Sequence, residues 1–243
     1  MGSSQPMDRL IPGPTLITRA YDAILGAICD GRLEPGTRLT QDELADRLHV
    51  SRQPVAQAVS VLKSQGFLRE RGRRGVIIAP LEREFFRAVY QLREALDPMA
   101  ARLAAQRCTR QDAAVGRRLL VTGRQAVRNG RTDRLINADA QFHGWIYRLS
   151  ANPLLLETME LYWKHLRRAM HGVLRRRSTR SRIWDEHQAI FGAIAAGDPE
   201  AAAALSLAHV RDAADRVVLS IPEAPDETGF LPTPARLVAR RTP

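Results

Sequence analysis

The sequence predicts a mainly α-helical protein in two parts: a small N-terminal unit with a helix-turn-helix and a β-hairpin, and a larger C-terminal bundle built of helices alone. Three observations predict it. Apolar residues recur at three- and four-residue spacing through most of the 243 residues. The only β-rich runs are two short ones either side of "RERGRRG". Glycine and proline are concentrated at breaks between the periodic segments.

Residues 1–14 read as a disordered N-terminal segment and 15–80 as the first unit. Its first helix covers 16–30 and is broken by Gly31, Pro35 and Gly36 in "DGRLEPGTRL". Thr40 serves as N-cap of a short helix at 41–48. After the turn "HVS", Ser51 caps a second helix, 52–65, whose Pro54 falls in the first turn, where a missing N–H is tolerated. Gly66 ends that helix, "FLRERGRRGVIIAP" reads as two short strands around a basic turn, and Pro80 marks the boundary.

The second unit, 84–220, reads as helices at 84–107, 110–129, 132–150, 153–176, 180–196 and 199–219. Breaks fall at Thr109, Gly130, Asn152–Pro153, Ser178 and Gly197–Asp198–Pro199, where Asp198 is the N-cap and Pro199 the first helical residue. Residues 221–243 hold four prolines before Ala235 and no periodicity, so they read as a disordered tail.

Composition narrows the function. A 44% hydrophobic, 5% aromatic chain suits helices built on Ala and Leu. No run approaches the roughly 18 apolar residues of a membrane span, and no secretory leader is expected, so a cytoplasmic location is the expectation. Two cysteines, Cys29 and Cys108, make neither a disulfide framework nor a CxxC metal pair. The net charge of +11 points to a polyanionic partner. Residues 1–80 carry 11 basic and 8 acidic side chains, whereas 81–220 carry 23 and 15, so most of the excess lies outside the first unit.

A short helix, a tight turn, a longer helix and a basic hairpin form a winged helix-turn-helix pattern, a double-stranded DNA reader. Val55, Val59 and Leu62 form the inward stripe of helix 52–65, leaving Arg52, Gln53, Ala56, Gln57, Ser60 and Lys63 outside. Arg52 can reach phosphate or guanine, and a glutamine can make two hydrogen bonds to adenine. Arg71, Arg73 and Arg74 on the wing, with Lys63 and Arg69, offer several phosphate contacts. Arg38 and Ser51 complete the candidate DNA-binding set. A solvated charged hairpin is the plainer alternative.

These residues resemble the DNA-binding domain of GntR-family transcriptional regulators over about 60 positions. The match includes Pro35–Gly36, Leu39, Glu43–Leu44–Ala45, Ser51–Arg52, Pro54–Val55, Ala58 and Gly66. This chain has Ala56–Gln57 where the family usually has Arg-Glu, which alters operator reading; Ala56 suits a thymine methyl.

In the second unit, polar residues interrupt apolar stripes. "NADAQFHGWIY" places Asp139 and His143 one turn apart beside Leu135, Phe142, Ile146 and Leu149. His187 stands among Ile183, Ile190 and Ile194, and His209 among Ala202, Leu205, Ala213 and Val217. A single histidine on an apolar face is usually a satisfied core residue. Three imidazoles and a carboxylate recurring on three helices suit one divalent cation: zinc first, with nickel and manganese as alternatives. His165 and His171, in the basic segment Lys164–Arg182, are placed on a solvated face.

"DAQFH", "ANP", "DEHQAIFGAIAAGD" and a histidine in the last helix resemble the helical FCD ligand-binding domain of the FadR subfamily. That resemblance, over about 84–218, implies metal ligation by Asp139, His143, His187 and His209. It also implies that Arg93, in "YQLREALDPMAARLAA", points into an effector cavity. From the residues alone, Arg93 sits at the edge of a stripe of Phe85, Val89, Leu92, Leu96, Met99 and Leu103. Turned inward it is an uncompensated cation for a small organic acid; otherwise it snorkels or pairs with Asp97, itself a departure from the Glu common in relatives. The expectation is a metal-containing, ligand-responsive regulator, a repressor binding a near-palindromic operator as a homodimer. Its rivals are a metal-dependent hydrolase using the same site and a regulator sensing the ion itself.

Overall fold

The computed structural model describes residues 14–72, 75–174 and 177–222. Arg73 and Arg74, the terminal segments 1–13 and 223–243, and the expected end of helix 153–176 lie outside the described residues. The chain divides into two compact units, the first ending at Ala79 and the second starting at Pro80, with Cys29–Leu33 grouped with the second.

The first unit contains α1 (Leu16–Cys29), β1 (Arg38–Thr40), α2 (Gln41–Leu48), α3 (Arg52–Ser64), β2 (Leu68–Arg71) and β3 (Gly75–Ile78). Thr40 caps α2 reciprocally: its hydroxyl accepts from Glu43 N at 3.1 Å, and the Glu43 carboxylate accepts from Thr40 N at 2.7 Å. His49 ends α2 in the left-handed region at φ 53°, which turns the chain sharply into α3. Ser51 has the extended backbone of a cap, but its side chain makes no capping hydrogen bond, unlike the expectation. Val55, Ala58, Val59 and Leu62 of α3 are buried with Leu44, Phe67, Val76 and Ile78. The hairpin gains a strand that the sequence reading placed in a loop: β1 pairs antiparallel with β3, giving the order β1-β3-β2. Three residues are too few to show an alternation, so β1 becomes visible only through its partner.

The second unit runs α4 (Arg83–Arg107), α5 (Arg110–Asn129), α6 (Thr132–Leu149), α7 (Pro153–Val173), α8 (Arg177–Ala196) and α9 (Pro199–Ser220). Thr109, Asn152 and Asp198 cap α5, α7 and α9 through their side chains. Ser178 lies inside α8 rather than at a break. Ile221, assigned to the tail, is buried, and its carbonyl accepts from Arg83 Nε at 2.8 Å.

The stripe assigned to α4 is corrected. Of its six residues only Val89 is buried, and Met99 is 39% exposed. The buried face is Phe86, Val89, Tyr90, Arg93, Asp97, Ala100, Ala101, Ala104 and Ala105, about one residue further round the helix. Alanines carry little hydrophobic signal, yet their size lets α4 lie close along α9, where Ala202 and Ala203 are also buried. Leu205, counted in the α9 stripe, is 37% exposed, and Ser206 is buried instead. α5 approaches α8 through Gly123: a Cβ there would overlap the ring of Trp184, which is wholly buried.

Candidate metal centre and nucleic-acid interface

Four-residue spacing aligns Asp139, His143 and Tyr147 on one face of α6, and all three are buried. α8 adds His187 and α9 adds His209, each at the core-facing position of its helix. The three imidazoles pack with ring centroids 5.2 Å (His143–His187), 5.3 Å (His143–His209) and 4.8 Å (His187–His209) apart. One nitrogen from each lies within 4.8 Å of the others. Asp139 Oδ1 stands 3.5 Å from His187 Nε2.

His187 is wedged between Phe142, stacked at 4.5 Å, and Trp184, edge-on at 4.8 Å. Both of its ring nitrogens are buried without a hydrogen-bond partner among the described residues. Leaving such a group unsatisfied costs about 1–3 kcal/mol. Burial holds His143 and His187 well below the usual imidazole range, with the positive charges nearby acting in the same direction, so both are neutral at pH 7. Burial also pushes the Asp139 carboxyl up to about 6, against the opposing charges of His209, Arg93 and Arg216. Three clustered imidazoles, one of them orphaned, and a carboxylate beside them fit a divalent transition metal, whose charge would offset that of Asp139.

Two residues that sequence reasoning missed support the cluster. Glu186 of α8 accepts a 2.7 Å hydrogen bond from His209 Nδ1. It also accepts from Arg216 Nη1 at 2.9 Å and Nη2 at 2.8 Å. Burial works against its charge, yet the hydrogen bonds from His209 and Arg216 hold its carboxyl at about 2. An ionised acceptor fixes a proton on His209 Nδ1, the way a carboxylate orients a ligating histidine. The available signals were adjacency to His187 in "DEHQ" and the seven-residue step from His209 to Arg216.

Arg93 is buried, and the picture of an uncompensated cation is corrected. Asp97 Oδ2 accepts from its Nε at 3.0 Å and its Nη2 at 2.8 Å, while Asp97 Oδ1 accepts from the Tyr147 hydroxyl at 2.6 Å. Burial disfavours the guanidinium charge, but the Asp97 carboxylate outweighs it and raises the Arg93 pKa. The guanidinium also lies over the rings of Tyr90 (5.1 Å) and Trp163 (4.9 Å). Arg93, Asp139, His143, His209 and Arg216 line a small cavity of about 20 Å³ with Tyr90, Trp163 and apolar side chains of α7, α8 and α9. Of the two rival histidines, His165 is not solvated: it is buried, with its ring 4.8 Å from that of Phe85. His171 is half-buried.

In the first unit Ser51, Arg52, Gln53 and Gln57 are exposed at the start of α3, Arg38 is exposed on β1 and Arg71 on β2. Arg52 forms an exposed ion pair with Asp42 of α2, and Lys63 forms one with Glu70. Exposed pairs are worth at most about 1 kcal/mol, so phosphate can displace either acid. Arg73 and Arg74 lie outside the described residues.

Comparison with known proteins agrees with this architecture. Residues 16–78 match the gntR family of bacterial regulatory proteins, and residues 88–212 match the FCD domain. The chain is 31% identical over 186 residues to the Nta operon transcriptional regulator of Aminobacter aminovorans, covering 76% of this chain and 86% of that one. It is 25% identical over 185 residues to the HTH-type transcriptional repressor RspR of Escherichia coli (strain K12), covering 76% and 81%. The fold is that of E. coli McbR/YncC (TM-score 0.74, 23% identity, 84% of this chain and 97% of that one). A putative GntR regulator from Rhodococcus sp. RHA1 superposes with TM-score 0.70 at 23% identity, over 83% and 96%. Among the described residues no helix is long and apolar enough to cross a membrane. With a winged helix-turn-helix ahead of an FCD domain, the chain belongs to the GntR family of DNA-binding transcriptional regulators.

Proposed function

We propose that the chain is a ligand-responsive repressor, working as a homodimer, whose FCD domain holds a divalent ion on Asp139, His143, His187 and His209 and takes a small carboxylate beside Arg93. The convergence of three buried imidazoles from three helices, one with no hydrogen-bond partner among the described residues, carries this reading. Zinc, nickel or manganese would supply a Lewis-acidic centre for carboxylate oxygens. The chain itself sets the charge of the cavity. The Arg93–Asp97 and Arg216–Glu186 pairs cancel internally, so a divalent ion with ionised Asp139 leaves one net positive charge, which a monocarboxylate neutralises. Against a hydrolase reading, Glu186 beside the cluster is occupied by His209 and Arg216. On the DNA side, Arg52, Gln53 and Gln57 face base edges from α3, while Arg38, Ser51 and the wing arginines Arg71, Arg73 and Arg74 take phosphates.

Protein purified without chelator is expected to carry about one metal per chain, as structural sites of this kind bind tightly. Calorimetry with glycolate then tests Arg93. Arg93→Lys keeps the charge opposite Asp97 but removes the two-pronged donor, so glycolate affinity should fall by about tenfold with metal content unchanged. Metal-free protein overturns the metal assignment; undiminished glycolate affinity in the variant overturns the role of Arg93.

A further inference from the structure

We infer that the outward face of α5 is a second polyanion-binding surface, occupied by duplex DNA. The excess positive charge of the second unit calls for an explanation that the metal centre does not supply. α5 carries five arginines and one acid, Asp112, and that acid is turned back to cap the helix through Thr109. Arg110, Arg117 and Arg124 recur every seven residues, and Arg118 and Arg128 fall within a quarter turn or so of the same line. Arg110, Arg117, Arg118 and Arg128 are exposed. Among the described residues none of these four has an ion-pair partner; only Arg124 is paired, to Asp185 at 2.7 Å.

The arrangement weakens the helix that bears it. Arg110 stands at the N-terminus, where the macrodipole disfavours a cation, and Arg124 and Arg128 are like charges four residues apart. A solvated face needs neither feature. From Arg110 to Arg128 the stripe is about 27 Å long, the length of roughly eight base-pair steps. Guanidinium is the group suited to two-pronged phosphate contacts. A protein partner would need an apolar or aromatic centre, and the exposed large apolar side chains of α5 among the described residues are two valines, Val115 and Val121. Duplex DNA is also the polyanion that a regulator of this family binds.

The test uses the full chain and a random-sequence 60-bp duplex, with affinity followed across a salt series. The variant is Arg110→Gln/Arg117→Gln/Arg128→Gln. The control, Arg87→Gln/Arg102→Gln/Arg211→Gln, removes the same charge from arginines paired with Glu84, Glu200 and Glu94. Losing three phosphate contacts should lower the slope of log K against log salt by about 2.7, with little change in the control. An unchanged slope in the stripe variant overturns the inference, as does an equal change in both triples, which would reflect net charge alone. A change of oligomeric state without a change of slope also overturns it, by assigning the face to a second copy of the chain.

Discussion

Glu186 on α8 holds His209 on α9 by a 2.7 Å hydrogen bond to Nδ1, and Arg216, two turns further along α9, clamps the same carboxylate with both terminal nitrogens. One acid therefore sets both the tautomer of a metal-ligand candidate and the position of a cavity cation.

Glu186→Gln is expected to weaken metal binding by about 10–100-fold, the usual effect of losing a carboxylate behind a ligating histidine. Chelator competition measures it. Parent-like affinity would mean that His209 is oriented without Glu186.

Asp139→Asn should separate stability from binding. The carboxyl is pushed up to about 6 by burial, so its ionised form strains the metal-free fold at neutral pH. Replacing it with a neutral isostere should stabilise the metal-free protein by on the order of 1–3 kcal/mol while sharply lowering metal affinity. Thermal melts in chelator and a metal titration read the two effects; a less stable metal-free variant would contradict the first.

Acid should destabilise the metal-free protein from about pH 6.5 downward. His143 and His187 have depressed pKa values in the fold, so only the unfolded chain takes up their protons near the ordinary imidazole value. Their contribution is complete above that value and is lost as pH falls below it. Asp139, raised to about 6, acts in the opposite sense between about 6 and its ordinary value near 3.8. Two groups oppose one, so the melting temperature should fall from pH 7 to 5, and more steeply in Asp139→Asn. A flat profile would show that the imidazoles are not desolvated.

Asp97→Ala leaves Arg93 buried without its counter-ion and should cost about 3–5 kcal/mol, whereas Tyr147→Phe removes one hydrogen bond from the same carboxylate and should cost about 1 kcal/mol. Denaturant unfolding compares them. Equal effects would mean that the buried pair contributes no more than the hydroxyl.

Much of this was legible in the sequence, for physical reasons. Helix-turn-helix residues must satisfy local rules of capping, turn and burial, and those rules act on neighbours; Thr40, Pro54 and Asp198 were readable because a cap or first turn is defined by the next few residues. His143, His187 and His209 were readable because each interrupts an otherwise apolar stripe. The inner face of α4 was not. Its alanines carry almost no hydropathy contrast, and the pair Arg93–Asp97 looks like a solvated i, i+4 bridge until Tyr147 of α6 is seen to close it from the other side. Glu186 and Arg216 stayed hidden because both sit beside the apolar stripes rather than within them. His165 was misplaced because its charged neighbours suggested water, although Phe85 of α4 covers its ring.

The missing side chain at Gly123 imposes an order on how this protein can change. The ring of Trp184 fills the space where the first carbon of any side chain at 123 would go, and that ring also stands edge-on against His187. Volume at the two positions is held as a fixed sum. Alanine or anything larger at 123 forces the Trp184 indole to shift or shrink, and moving the indole disturbs a wall of the imidazole cluster. A change at Gly123 on the inner side of α5 is thus felt at the His187 ring, across the indole that separates them.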